Sequence, residues 1–315
     1  MDNVFIRIIE NMKRNIYSKL WMIFFVLMGA ACTNQVEDAI PVSDQPIEFS
    51  VQSDWKEIPN TRSNDGKTEF KDGDSIQIFG FHRSSSGVQK FMYRGVDEQD
   101  RGQIVKYDGK NWIYSPKRFW PKEGMLDFYA SYPHYSVLND EENRKMTYEQ
   151  AVNPLQLDLL WGVSTNHNCT TTGRRSNVVI MMKHALAKVI ITFDSSLGEI
   201  KQANVSAYKA GYFSETDTRG IPKWKVEKKS DINTATLFPY NNLPTIVDAT
   251  VFILPDKITG LILTKLDGTK IDASEEIKKY TFEAGKVYNL KILKGVQKKN
   301  TNTRSIAMSV RCVSE

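Results

Sequence analysis

The chain has little cysteine and little histidine, and it has none of the short motifs that mark common catalytic sites. Three cysteines in 315 residues, Cys32, Cys169 and Cys312, exclude a disulfide-stapled scaffold. Cys169 and Cys312 can pair after export, but nothing in the pattern requires it. There is no HExxH, CxxC, GxSxG, Walker loop or dinucleotide fingerprint. The four histidines, His82, His134, His167 and His184, stand apart in sequence, so a metal cluster would need the fold to gather them. No catalytic residue, metal or cofactor is assigned, and the chain reads as a non-enzyme. Gly and Pro number 18 and 11, which excludes a fibre or a low-complexity chain. A net charge of +5 is too weak to imply a nucleic-acid partner. Hydrophobic content of 41% and charged content of 25% suit a globular protein.

The one long apolar run lies near the start, Trp21 to Cys32, WMIFFVLMGAAC. Lys13, Arg14 and Lys19 precede it and small residues close it, which is the layout of a secretory signal. It is short for a spanning helix, which needs about 20 apolar residues. Cys32 directly follows Gly29-Ala30-Ala31, where a thiol can be acylated. The arrangement resembles a bacterial lipoprotein signal, with Gly29 where that pattern prefers Leu. Residues 1–31 are therefore expected to be removed, which leaves a net charge of +3, with Cys32 as the lipidation site. Met12 is an alternative start, because MKRNIYSKLW opens more like a signal than MDNVFIRIIE does.

Residues 32–46 are polar and unperiodic and read as a flexible spacer. Ile47 to Val51, IEFSV, alternates as a strand does. A polar loop follows with Arg62 inside Thr61-Arg62-Ser63, a place open to proteolytic nicking. Strands are then expected at 75–81, 91–95, 103–109 and 126–133, with Asp108-Gly109 as a hairpin turn. Residues 136–156 read as a long polar loop, and 164–177 as an internal boundary. The apolar run 177–193 reads as two strands because Val and Ile dominate its ends. Further strands are expected at 205–213, 250–255, 260–271 across Asp267-Gly268, and 280–293. The reading is all-β: a sandwich over 47–175, a second over 176–295, and a tail over 296–315 that alternates again.

Three local features bear on chemistry. His184 in the apolar stretch KHALAK reads as a structural histidine with its ring nitrogens bonded to backbone. Glu69, Asp72 and Asp74 crowd one turn and read as a solvated turn, with calcium as the lesser alternative because the EF-hand spacing is missing. Trp112, Tyr114, Trp120, Phe128, Tyr129 and Tyr132 read as core, since alternate residues share a sheet face. Were those rings exposed, they would form a glycan platform. Asn204-Val205-Ser206 fits a glycosylation sequon that a bacterial lipoprotein does not normally use.

Four segments, in order, resemble the fimbrillin-like lipoproteins of Bacteroides and its relatives. They are TRSNDGKTEFKDGDSIQIFGF, WIYSPKRFWPKEGMLDFYASYP, VVIMMKHALAKVIITF and FEAGKVYNLKI, within about 47–293. That family holds stalk, anchor and tip subunits of type V pili. The resemblance implies two tandem transthyretin-like β-sandwich domains, export as a lipoprotein, and a place on the outer membrane or in the fimbrium. It implies a cut after Arg62 that removes the first strand, and a neighbour's tail strand that fills the slot. The donor segment would fall at about 296–313, including Ile306, Met308 and Val310. The ending VRCVSE departs from an ordinary fimbrillin tail, so a cap or docking element is the alternative for this segment. The expected partners are other pilus subunits, the membrane through the lipid, and a host protein or glycan. The rival reading is a surface glycan-binding lipoprotein.

Overall fold

A computed structural model of the chain describes residues 42–54, 69–95, 100–140, 145–149, 155, 157–171, 173–227, 229, 231–239, 243–294 and 308–313. All of them fall within one compact unit, Pro41–Glu315. They are almost entirely strand. The first part of the chain supplies β1 (Val42–Pro46), β2 (Phe49–Ser53), β3 (Ser75–Ser84), β4 (Gly87–Met92), β5 (Gln103–Tyr107) and β6 (Trp112–Ile113). Then come β7 (Phe119–Pro121), β8 (Met125–Tyr132), β9 (Val137–Asp140), β10 (Lys145–Glu149), β11 (Leu160–Asn168) and β12 (Val178–His184). The later part supplies β13 (Ala187–Phe193), β14 (Ile200–Tyr208), β15 (Ala210–Phe213), β16 (Lys225–Val226) and β17 (Ile232–Leu237). It ends with β18 (Asp248–Ile253), β19 (Ile258–Lys265), β20 (Lys270–Asp272), β21 (Val287–Lys294) and β22 (Met308–Val313). Among the described residues the only α-helix is the four-residue α1 (Ser274–Ile277).

The largest sheet closes on itself. Its order is β4-β3-β5-β6-β2-β12-β11-β8, and β8 also pairs with β3. A ring therefore runs β3, β5, β6, β2, β12, β11, β8 and back to β3, with β4 beside it. Strand alternation fills the ring. Ile76 and Ile78 of β3, Leu126 and Phe128 of β8, and Ile180 and Met182 of β12 are all buried. Gly162 of β11 sits where a Cβ would lie 2.5 Å from Ile180 Cγ2 and 2.7 Å from Met182 Sδ, so only glycine lets β11 and β12 approach this closely. Closure gives every ring strand a neighbour on each side, though the β2–β6, β5–β6 and β11–β12 ladders are short.

The later part forms a sandwich of two four-stranded sheets, β18-β13-β21-β22 and β17-β14-β19-β20. They share an apolar core that includes Val189, Ile191, Val205, Leu261, Leu263, Leu290 and Ile292. The hairpin expected at Asp267-Gly268 joins β19 to β20, with Gly268 at φ +83°. A small sheet, β16-β15-β10-β9, lies against the outside of the ring. Phe79, Trp161, Tyr148, Phe213, Leu186 and Phe252 form one buried cluster that joins this sheet, the ring and the sandwich.

Several expectations change. Residues 42–46, at the end of the expected 32–46 spacer, form β1, which pairs with β7. The stretch 136–156, expected as a loop, contains β9 and β10. They are short and polar, and they are strands because neighbours supply the ladder. The boundary expected between 175 and 176 precedes β12, which pairs with β2 and β11 of the ring. Sheet membership changes only between His184 and Ala187. The tight Val178–Phe193 run hides the change, because both of its strands are apolar. Cys169 is a free buried thiol, its pKa pushed up to about 11 by burial.

Gly162→Val should destabilise the ring by about 1–3 kcal/mol through overpacking. Val179→Thr on the exposed face of the adjacent β12 should change stability by less than about 0.5 kcal/mol. Urea unfolding of both variants measures the difference. Equal midpoints would contradict the close approach of β11 and β12.

Candidate functional site

The alternation of Ile47, Phe49 and Val51 sends three apolar side chains to one side of the chain. All three are buried: Ile47 is 0% exposed, Phe49 3% and Val51 9%. Phe49 meets Phe128 edge-on at 5.4 Å and Tyr114 at 5.8 Å between ring centroids. Each such side chain contributes roughly 1.5–3 kcal/mol by leaving water.

The backbone of this segment is held unevenly. Phe49–Ser53 runs parallel to Val178–Met182 along its whole length. On its other side it touches β6 only at Phe49↔Trp112. Further bonds clamp the two ends. Val178 N donates to Glu48 O at 2.7 Å, Asp54 N to Met182 O at 3.0 Å, and Ile47 N to Arg118 O at 2.8 Å. Tyr114 donates its hydroxyl to Ile47 O at 2.8 Å, and burial pushes that phenol up to about 12. The Lys117–Glu48 ion pair at 2.9 Å is exposed on both sides and adds little.

A charge contact marks the exit of the strand. His184 Nδ1 lies 2.6 Å from Asp158 Oδ2, and His184 Nε2 lies 3.5 Å from Asp54 Oδ1. This corrects the expectation of backbone partners for His184. Both contacts are ionic when the ring is protonated, and the shorter one also has the reach of a hydrogen bond. Burial opposes the charge on His184, but the Asp158 carboxylate and then Asp54 outweigh it, with Lys188 opposing, and the pKa is raised. Asp54, Asp158 and His184 are scattered in sequence, so no local pattern announces them.

Other expected site residues fall as follows. Cys32, Arg62 and Ile306 lie outside the described residues. Met308 and Val310 are on β22, which runs antiparallel to β21 at the edge of the sandwich. Trp112, Tyr114, Trp120 and Phe128 are buried, while Tyr129 and Tyr132 are half-buried. The Asp74 carboxylate accepts from Lys71 N at 2.7 Å and so caps its turn. Among the described residues no cluster of three or more His, Cys, Asp or Glu is placed to hold a metal.

A family model described as fimbrillin-like matches residues 61–307, well over half of the chain. The chain belongs to the fimbrillin-like family. None of the curated proteins matches it. Among solved structures, a candidate cell adhesion protein from Bacteroides uniformis is 16% identical. That match covers 86% of this chain and 98% of the other, with a TM-score of 0.53. A second candidate cell adhesion protein, from Bacteroides ovatus, is 13% identical over 86% of this chain and 97% of its own, with a TM-score of 0.48. The tip fimbrial protein Mfa3 from Porphyromonas gingivalis is 9% identical over 78% of this chain and 95% of its own, with a TM-score of 0.43. At these identities the Bacteroides uniformis likeness speaks for a shared fold alone. The fimbrillin-like match begins after β2, so the first strand lies outside the span the family model recognises.

Two outcomes follow from this seat. Phe49→Ala should cost about 3–5 kcal/mol, read as a lower urea midpoint. An ordinary histidine ionises near 6.5, and His184 is raised above that. Its contribution is complete below 6.5 and is lost as pH rises through the raised value. The unfolding midpoint should therefore fall as pH goes from about 6 to about 9, and His184→Gln should flatten that fall. A variant as pH-sensitive as the parent would remove His184 from the account.

Proposed function

We propose that the chain is a structural or adhesive subunit of a cell-surface pilus that assembles by strand exchange. The observation that carries this reading is the seat of β2. It is laddered along its whole length to β12 within a closed ring, and it is the first strand of that ring in the chain. One cut after Arg62 would release β1 and β2 together and sever no other ring strand. The start of the fimbrillin-like match at residue 61, one residue before Arg62, agrees with a shared part that begins there.

Loss of this segment would leave Val178 N and Met182 O without their partners and the Tyr114 hydroxyl with Arg118 alone, beside an apolar slot. Both consequences are costly in water. A neighbour's extended segment with an alternating pattern would restore both, its main chain giving affinity and its side chains register. To reproduce the native ladders it must run parallel to β12 and antiparallel to β6. The segment 296–313, with Ile306, Met308 and Val310, is the proposed donor. Its described part, β22, has one strand neighbour among the described residues, β21, so one ladder holds it in the sheet. Head-to-tail contacts of this kind do not close, so they grow a filament.

The same proposal includes removal of 1–31, lipidation at Cys32 and an outer-membrane location. It also includes two transthyretin-like sandwiches in tandem. The pairing pattern supports the tandem reading, since β2 runs parallel to β12 and β13 runs parallel to β21. In each half an early strand thus lies beside a late one.

Incubation with an arginine-specific protease should yield a new N-terminus at Ser63 and filaments by electron microscopy. Arg62→Ala should stay intact and form none. Cleavage after Arg62 with β2 still bound and no polymer at any concentration would reject strand exchange. Cys32→Ser should abolish palmitate labelling and membrane attachment, and labelling that persists in the variant would reject the lipid anchor.

A further inference from the structure

We infer that the slot vacated by β2 takes the tail of a second copy of this chain, with residues 306–313 seated in the register of 47–54. This rests on the strand-exchange reading above, and it names the partner and the register. Its ground is a likeness between the two ends of the chain. Residues 47–54 read IEFSVQSD, and residues 306–313 read IAMSVRCV. The same residue type stands at Ile47 and Ile306, at Ser50 and Ser309, and at Val51 and Val310. Phe49 corresponds to Met308, another large apolar side chain, and Ser53 to Cys312, another small one.

The burial of the native strand gives each position its requirement. Ile47, Phe49 and Val51 are buried in the ring, and Gln52 is exposed. The tail brings Ile306, Met308 and Val310 to the buried places and Arg311 to the exposed one. Met308 would take the seat beside Phe128 and Tyr114 that Phe49 holds, and a flexible thioether adapts to an aromatic lining. The main chain renews the end clamps. No proline lies between 306 and 313, so Ile306 N can donate to Arg118 O and Val313 N to Met182 O, as Ile47 and Asp54 do in the native strand. The carbonyls of Ile306 and Ala307 would accept from the Tyr114 hydroxyl and from Val178 N. One contact is not renewed. Val313 stands in the place of Asp54, so Asp158 is the carboxylate that stays with His184.

Size and charge exclude the neighbouring registers. A slip of one residue in either direction turns Ser309 into the ring and Ile306, Met308 and Val310 out of it. A slip of two in one direction sets Arg304 in the place of Ile47, which is 0% exposed, and an unpaired charge is costly there. A slip of two in the other direction sets Val310 in the seat of Phe49 and leaves a void beside Phe128. The likeness also identifies the donor. A slot shaped by Ile47, Phe49 and Val51 accepts a strand with the same order of side chains, and this chain carries that order at its own far end.

The test uses the full chain carrying Cys32→Ser and Cys312→Ser, which leaves only the buried Cys169. One preparation adds Val179→Cys on the exposed face of β12, where the native partner is Ser50. Others add Ser309→Cys, Ala307→Cys or Arg311→Cys, and one carries Val179→Cys and Ser309→Cys together. Each is cut after Arg62 by limited digestion, with the tail confirmed intact by mass. The Val179→Cys chain is then mixed with each single tail variant and oxidised. Disulfide dimers are read on a non-reducing gel and filaments by electron microscopy. Ser309→Cys should link to Val179→Cys at least about tenfold more than the other two, because a disulfide needs Cα atoms within about 7 Å. A synthetic peptide of residues 304–315 with Cys312→Ser should bind the cut chain and not the uncut one. Met308→Ala in that peptide should weaken binding at least about tenfold, and Ser309→Ala should not. Filaments with equal or stronger linking through Ala307→Cys or Arg311→Cys overturn the register and leave strand exchange standing. Filaments without a link from any tail cysteine, or equal affinity of the Met308→Ala peptide, do the same. The absence of links, peptide binding and filaments together overturns strand exchange, and this inference with it. Links between uncut chains, or links formed only within the chain that carries both cysteines, overturn the second copy as occupant.

Discussion

The structure depends on the lateral pairing of Phe49–Ser53 with Val178–Met182. That parallel ladder is what turns an open sheet into a ring. On the far side, β2 is joined to β6 by one residue pair, and β6 itself is only two residues long. Side chains supply what this second ladder lacks. Ile47, Phe49 and Val51 fill the interior, and Tyr114 and Arg118 hold the entry of the strand by its backbone. Closure is therefore strong along one flank and rests on packing along the other. A segment held in this way is stable in place and still separable as a unit, because few ladder bonds must break on the β6 side.

Chain order makes the same strand special. Any interior ring strand would need two cuts to be freed, and its loss would divide the chain. β2 needs one cut and leaves β3 onward continuous. The later sandwich shows the contrast. There β13 also runs parallel to a late strand, β21, but β12 precedes it and β14 follows it. Its pairing can be lost only by unfolding. The sandwich instead has β22 at its edge, with one strand neighbour among the described residues. Under the proposed cut after Arg62 the early strand would be removable, and the late one is peripheral among the described strands. These are the complementary requirements of the proposed assembly through exchanged strands.

The strands with the plainest alternation were legible from sequence. IEFSV, SIQIFGF and LDFYASYP carry their facing in two-residue periodicity, and Asp108-Gly109 and Asp267-Gly268 mark turns whose glycines have positive φ. The polar strands β1, β9 and β10 were not legible, because their pattern reports a neighbouring strand rather than an apolar face of their own. The passage from β12 to β13 was obscured for the opposite reason. β13 is largely buried and β12 carries apolar residues on its exposed face as well, Val179 and Met181, so the apolar run is unbroken where the chain changes sheet. The contacts of His184 were beyond reach as well, since Asp54 and Asp158 come to it from distant segments.

The two faces of the same strands differ, and the register keeps them apart. Phe128 packs under Phe49 inside the ring, while its neighbours Asp127 and Tyr129 face outward. Gly162 allows the close approach to β12, while Trp161 faces outward. The strands β3, β8 and β11 are paired with one another in sequence around the ring, and β12 separates them from β2. Under the proposed exchange of β2 for another segment, the partner of β12 and the contents of the ring would change, and the β3–β8 and β8–β11 ladders would not. The outer face would therefore keep its shape while the inner slot changed hands.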